Sequence, residues 1–575
     1  MSIRPIVYQL FIRLFGNTNT TNKKWGSIEK NGVGKFNDIN ELALDEIKKL
    51  GITHIWYMGV IEHALLTDYT EYGIELDDAD VVKGRAGSPY AIKDYYDVNP
   101  DLADFPPSRM EEFEALATRT HEADLKVIID FVPNHVARQY YSDVKPDGVV
   151  DLGAADDTSN AFSPNNNFYY IPDEAFAVPA GYESMSPFDF PNKDGFYREH
   201  PAKATGNDVF SARPSINDWF ETVKLNYGID YLNNKTTHFD SIPDTWVKMT
   251  DILLYWAEKE VDGFRCDMVE MVPVAFWKYA IAKVKTKYPE ITFTAEIYNP
   301  RLYREYIFEG GFDYLYDKVG MYDTLKNIIQ GHGSADDITS IWQSQDGIGS
   351  HMLRFLENHD EQRIASPDFA GDMHKGIPMM ATSAFMHTGP VMLYFGQDVG
   401  EPGKGDSGFS SEDGRTTIFD YWGVPEHVKW VNGGLFDGEP LSKPQKTLRS
   451  NYQDILKACN NYEALREGAF YDLHYYNRND TYTGYSNNVY AFVRYTPKQV
   501  LLILVNFDEK DQKAKIKIPE PAWKTFGITS AMVTAYGKKN IEFSRENTTT
   551  YDEVSELIID IPAIDYLLLE LKKGE

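Results

Sequence analysis

Gly263-Phe264-Arg265-Cys266-Asp267 is the stretch on which the reading of this chain turns. It follows a helix-length segment with apolar residues at Trp246, Met249, Leu253 and Trp256, a spacing of three to four that puts them on one helix face. Asp267 therefore stands where a strand following a helix ends. Strand side chains alternate with a period of two, so Arg265 points to the same side as Asp267 and is expected to hold that carboxylate ionised, as a nucleophile requires. Working outward, short apolar runs alternate with amphipathic helical patterns, the signature of βα units and a parallel sheet. Eight runs read as strands: Ile6 to Leu14, His54 to Val60, Lys126 to Val132, Gly263 to Asp267, Thr292 to Ile297, Phe312 to Tyr316, Met352 to Leu356 and Pro390 to Phe395. Between the first two lies a helix expected to bury Leu42, Ile47 and Leu50 and to expose Glu41, Asp45, Lys48 and Lys49. Eight units, with neither a Gly-rich dinucleotide turn nor a P-loop after any strand, favour a closed (β/α)₈ barrel over an open doubly wound sheet. A barrel of this kind carries its function at the C-terminal ends of its strands.

At 575 residues, 42% apolar and 25% charged, the chain has the composition of a water-soluble globular protein too long for one core. A net charge of −30 gives a surface field that repels nucleic acid and anionic membrane. No apolar run approaches the roughly 18 residues a membrane span needs. The first strand follows Met1 almost at once, so no leader is read: the expected compartment is the cytoplasm, or the periplasm or exterior if a leader has been removed. Two cysteines, Cys266 and Cys459, make no disulfide framework and leave the redox compartment open.

Residues 1–136 and 231–468 are assigned to the barrel. Residues 137–230 run through Pro, Asn, Asp and aromatics without helical period, and are read as a small irregular domain inserted after strand three and overhanging the barrel mouth. Its clusters Phe168-Tyr169-Tyr170 and Phe188, Phe190, Phe196, Tyr197 are expected to form its own core. Past a helix ending near Gly468 the pattern changes to short β-rich runs, so residues 469–575 are read as a C-terminal antiparallel β-sandwich.

Polar residues then fall on the strand ends. Strand three runs out through Asp130-Phe131-Val132-Pro133-Asn134-His135, strand four through Arg265-Cys266-Asp267, strand five through Glu296 and strand seven through Glu357-Asn358-His359-Asp360. A lone histidine or glutamate there is usually a core or loop residue, but so many charges on one rim are costly to keep without a use. These four segments, in this order, resemble the four signature regions of the α-amylase superfamily, glycoside hydrolase family 13. Gly51 to Val60, Gly87-Ser88-Pro89-Tyr90 with Asp94-Tyr95-Tyr96, and Phe395-Gly396-Gln397 extend the resemblance to the second strand, a loop with a sugar-stacking tyrosine and the eighth strand.

The resemblance implies a nucleophile at Asp267, a general acid and base at Glu296, and a transition-state-stabilising carboxylate at Asp360. His135 and His359 would bind the sugar, Arg265 would orient Asp267, Tyr90 would stack on the ring, and Asp130 is structural. The implied reaction is retaining hydrolysis of α-1,4-glucosidic bonds in starch- or glycogen-type glucans and maltooligosaccharides. An exo-acting α-glucosidase or a transglycosylase of the same family, and a non-catalytic carbohydrate-binding relative, are the alternatives. No cofactor is required by this chemistry. Of the usual calcium ligands Asn134 alone matches, because Lys224 stands where a calcium-binding member has Asp, and a cation there disfavours a divalent metal. Glu270-Met271 replaces the Lys-His pair with which many starch-cleaving members grip the leaving sugars.

Overall fold

A computed structural model describes residues 3–478, 484–528, 532–537, 541–544 and 554–573; the rest of the segment read as a C-terminal sandwich lies outside them. Eight parallel strands form the central sheet: β1 (Ile6–Phe11), β2 (His54–Met58), β3 (Lys126–Phe131), β4 (Gly263–Cys266), β5 (Thr292–Ala295), β6 (Tyr314–Tyr316), β7 (Met352–Leu353) and β8 (Val391–Tyr394). Sequence neighbours pair in order, and β8 pairs with β1 in the register Ile6↔Val391. Between β7 and β8 the ring is completed by one parallel bridge, Arg354↔Val391, with Arg354 N–H on Pro390 O and Met392 N–H on Arg354 O at 3.1 and 2.9 Å. The barrel is thus closed, and each expected strand has its counterpart. β7 is shorter than the run from Met352 to Leu356: its ladder with β6 ends at Leu353, and Arg354 adds only the single bridge to β8.

Strands enclosed by helices outside and side chains inside are apolar on both faces, and all six residues of β1 are buried. The helix before β4, α1 (Asp244–Glu258), buries Trp246, Met249, Leu253 and Trp256 as their spacing requires. Its indoles are also polar anchors, Trp246 Nε1 on Tyr227 O at 3.1 Å and Trp256 Nε1 on Tyr95 O at 2.8 Å. Burying one such side chain removes roughly 150–250 Å² from water, worth about 4–6 kcal/mol before entropy is charged. The helix between β1 and β2, Glu41–Lys48, corrects one expectation. It buries Ala43, Leu44 and Ile47, whereas Leu42 is 53% exposed. At about 100° per residue positions 43, 47 and 50 share one face and 42 falls beside it, so the small Ala43, and not Leu42, meets the barrel.

Between β3 and α1 the chain makes only short ladders, among them His135–Ala137 with Thr222–Lys224 and Tyr170–Ile171 with Ala202–Lys203. Phe168, Tyr169, Tyr170 and Phe188 are buried there, but Phe196 is 56% exposed and is not a core residue. Instead Phe176, Tyr182, Ala212 and Phe220 pack against Val81 from the barrel side. At the C-terminus a six-stranded antiparallel sheet that includes Val489–Tyr495, Val500–Asn506 and Asp565–Lys573 faces the pair Gln512–Pro519 and Val554–Ile561. Leu502 and Leu504 from one sheet and Ile516, Leu557 and Ile559 from the other share a core, which makes this a sandwich.

Barrel closure rests on a buried charge. Arg354 Nε meets Asp317 Oδ2 at 2.9 Å, and Asp317 also accepts Gln345 Nε2 at 2.6 Å and Met321 N–H at 2.8 Å. Arg354→Met leaves Asp317 buried without its counter-ion, and we expect it to destabilise the fold by about 3–5 kcal/mol, read as a lower urea midpoint. A midpoint within error of the parent would show that the bridge carries no weight.

Candidate active site

The strand ends deliver their polar groups to one guanidinium. Arg265 and Asp130 are register partners across β4 and β3, and both side chains point into the barrel. Arg265 Nη1 donates to Asp267 Oδ1 at 2.9 Å and to Asp130 Oδ1 at 3.3 Å, Nη2 lies 2.9 Å from Glu296 Oε2, and Nε donates to Tyr316 OH at 3.0 Å. Trp56 Nε1 adds a bond to Asp130 Oδ2 at 2.9 Å. The chain leaves β4 through Met268, whose φ of 43° is unusual for a side chain with a Cβ. That turn aims the Met268 N–H at Glu296 Oε2, 2.9 Å away, while Tyr298 OH donates to Glu296 Oε1 at 2.6 Å.

One guanidinium bridges Asp267 and Glu296, with Asp267 Oδ1 2.9 Å from Nη1 and Glu296 Oε2 2.9 Å from Nη2. Burial first, and the Glu296 charge next, hold the Asp267 carboxyl well above the usual carboxylate range, with Arg265 opposing both. The expectation that Arg265 keeps Asp267 ionised is corrected here: burial and the Glu296 charge together outweigh the guanidinium. Asp130, buried, is pushed up to about 6.

His359 sits on the floor of the same group. Gln9 Nε2 donates to its Nδ1 at 2.9 Å, so the neutral ring carries its proton on Nε2, which meets Tyr90 OH at 2.6 Å and Asp360 Oδ2 at 3.1 Å. Burial holds this imidazole far below its ordinary value. Tyr90 stacks on it with ring centroids 5.1 Å apart. Asp360 is the most open member, its side chain 42% exposed at the cleft wall; desolvation by the walls, then Glu296, pushes it up to about 7. Beside it a cavity of about 250 Å³ is lined by Phe409, Arg415, Ile418 and Phe419 from the long segment after β8. His135, held neutral by burial with its value near 3, packs 5.3 Å from Trp219. Asp267, Glu296, Asp360, Arg265, His359 and Tyr90 thus form one connected group. His135 stands outside these contacts, its Nδ1 3.1 Å from Asn134 Nδ2.

Reading the sequence missed Gln9, Trp56, Tyr298 and Tyr316. The first could have been found as a polar residue inside an otherwise apolar strand; Tyr298 lies beyond the strand end and carries no period.

The place where the resemblance would put calcium does not fit the ion. Lys224 Nζ is 2.5 Å from Asn134 Oδ1, 2.6 Å from Asp208 Oδ1 and 3.4 Å from Met271 O. An ammonium already neutralises Asp208 and fills the gap between three oxygens, and a divalent ion would have to displace it. Lys224 thereby ties the irregular segment to the loop after β4.

The sequence profile of the family "Alpha amylase, catalytic domain" matches residues 9–434. The chain belongs to the α-amylase family and is a glycosidase. Among curated relatives it is 22% identical over 484 residues to α-amylase 3 of Dictyoglomus thermophilum, covering 80% of this chain and 78% of that one. It is 22% identical over 588 residues to the trehalose-6-phosphate hydrolase of Bacillus subtilis, covering 88% and 89%. The fold resembles that of an α-amylase from Geobacillus thermoleovorans, with a TM-score of 0.61 at 17% identity over 100% of this chain and 99% of that one. A maltogenic α-amylase from Thermotoga neapolitana gives 0.59 at 18% identity over 99% and 98%.

Two expectations test this geometry. Tyr298→Phe removes a donor that fixes the Glu296 carboxyl, so kcat/KM should fall about tenfold while the melting curve holds; an unchanged kcat/KM would show that the hydroxyl does not position the acid. Lys224→Met should melt several degrees below the parent both with and without calcium, while Lys224→Asp should close that gap as calcium is added. Full recovery of Lys224→Met by calcium would show that a metal takes this place readily.

Proposed function

We propose that this glycosidase cleaves α-1,4-linked glucans and maltooligosaccharides with retention of configuration, within residues 1–136 and 231–468, under a cover formed by residues 137–230. The observation that carries the stereochemistry is that one guanidinium holds both carboxyl groups, Asp267 Oδ1 and Glu296 Oε2 each 2.9 Å from Arg265. Carboxyl groups roughly 5 to 5.5 Å apart serve double displacement, whereas inversion needs about 6.5–9.5 Å to admit a water. Groups bridged by a single guanidinium fit the first class.

Asp267 attacks the anomeric carbon, and Glu296 protonates the departing glycosidic oxygen. For this step Glu296 is the proton donor, and Arg265 holds Asp267 as the anion. Glu296 then takes a proton from water, which attacks the same carbon and frees Asp267. Asp360 binds ring hydroxyls and steadies the oxocarbenium-like transition state, His359 and His135 hydrogen-bond the sugar as neutral imidazoles, and Tyr90 forms the stacking floor.

Short products are favoured by two features. Glu270 Oε2 accepts the Asn299 N–H at 3.0 Å, so it is engaged within the protein and not with leaving sugars. The cavity beside Asp360 is walled by Phe409 and Phe419, whose rings lie 4.9 Å apart. Asp267→Asn and Glu296→Gln should each lower turnover of maltoheptaose by several orders of magnitude while the melting curve holds. Proton NMR from the first seconds should show α-anomeric reducing ends on short maltooligosaccharides or glucose. β-Anomers ahead of mutarotation, or near-native turnover by Asp267→Asn, would overturn the assignment.

A further inference from the structure

Away from the catalytic group, the hairpin that follows β2 gathers acidic side chains under the start of the irregular segment. Glu62 lies in Ile61–His63, which pairs through a bulge with Ile92–Val98, the strand carrying Asp94. Asp143 comes from the segment after Ala137. One carboxylate oxygen from each of the three lies within 4.8 Å of the others, the one such grouping of His, Cys, Asp or Glu among the described residues.

Two observations separate this cluster from an ordinary acidic patch. Glu62 is 1% exposed and its Oε2 has no hydrogen-bond donor, and the buried Oδ1 of Asp143 has none either. Orphaned carboxylate oxygens in a protein interior are costly unless something positive meets them. The neighbouring charges do not suffice. Lys93 Nζ stands 3.4 Å from Asp77 Oδ1 and 3.9 Å from Glu62 Oε1, and Arg109 Nε is taken by Asp97 at 2.6 Å. Asp94 is oriented, not neutralised: Oδ1 accepts the Tyr96 N–H and the Ser142 hydroxyl at 2.7 Å each, and Oδ2 accepts the Asp143 and Val144 N–H groups at 3.0 and 3.4 Å. Glu62, Asp77, Asp94, Asp97 and Asp143 thus face Lys93 and Arg109, while Lys145, whose charge also reaches Asp94, is paired with Asp151 at 2.6 Å, so negative charge stays in excess.

We propose that Glu62, Asp94 and Asp143 bind one calcium ion, which pins residues 138–144 to the β2 hairpin. An all-carboxylate donor set selects a hard divalent cation, and a flexible, water-completed shell suits calcium better than magnesium. The ion reaches the site past Asp143, which is only half buried between the exposed Tyr141 and Val144.

The test is calorimetric titration of the EDTA-stripped full chain with calcium chloride, with melting curves at each stage. One equivalent should bind and raise the melting temperature, and both effects should fall at least tenfold in apparent affinity in Glu62→Gln and in Asp143→Asn. Asp143→Asn, half exposed, decides the matter if the buried Glu62 variant fails to fold. Stripped protein that neither binds calcium nor gains stability, as a merely protonated Glu62 would give, overturns the proposal. So does an equivalent that binds unweakened in the Asp143 variant, which would place the ion elsewhere. Neither outcome bears on the glycosidase reading.

Discussion

One guanidinium holds four neighbouring strand ends together. Asp130 on β3, Asp267 at the end of β4, Glu296 after β5 and Tyr316 on β6 all meet Arg265, which is fully buried. Three carboxyls around one cation leave negative charge in excess, and burial together with that imbalance raises Asp267 above the usual carboxylate range. The same contact fixes geometry. Arg265 lies opposite Asp130 and Thr294 in the ladders on either side, so a slip of one residue in either would turn its side chain away from the barrel interior.

The barrel was legible because parallel strands buried on both faces leave runs that short turns bracket, and all eight runs of the sequence correspond to strands. Legibility fell where a single residue's angle, rather than a period, decides burial. Leu42 illustrates it: hydrophobicity favoured it for the core, but Ala43 holds the inward position at its 100° step. The four rim segments were readable together, and the structure joins most of their side chains. The charge state was not readable, because Arg265 two places before Asp267 says nothing of how deeply both are buried or how near Glu296 approaches. Tyr298 and Tyr316 escaped notice for a related reason, since a hydroxyl donor to a carboxylate leaves no pattern in one sequence.

Lys224 shows sequence and structure at different depths of the same question. Its replacement of an expected carboxylate argued against a metal, yet Asp208, which completes its surroundings, lies in an irregular stretch that nothing marked. An ammonium donates hydrogen bonds in three directions and here finds a side-chain amide, a carboxylate and a main-chain carbonyl. It carries half the charge of a calcium ion but is tethered to the chain, so its local concentration never varies and no ligand has to stay empty for it. Burial lowers the affinity of Lys224 for its proton, and Asp208 restores part of it.

The departure at Glu270-Met271 acquires a physical meaning in the same neighbourhood. In the usual Lys-His arrangement these positions serve the substrate, but Glu270 here accepts the Asn299 N–H, and Met271 presents its carbonyl to Lys224. Asn299 directly follows Tyr298, whose hydroxyl bonds Glu296. Glu270 therefore steadies the loop that supplies a donor to the proposed acid, and Met271 joins the anchorage of the irregular segment. Contacts that the resemblance would assign to leaving sugars have been turned inward, to hold the two loops that flank Asp267 and Glu296.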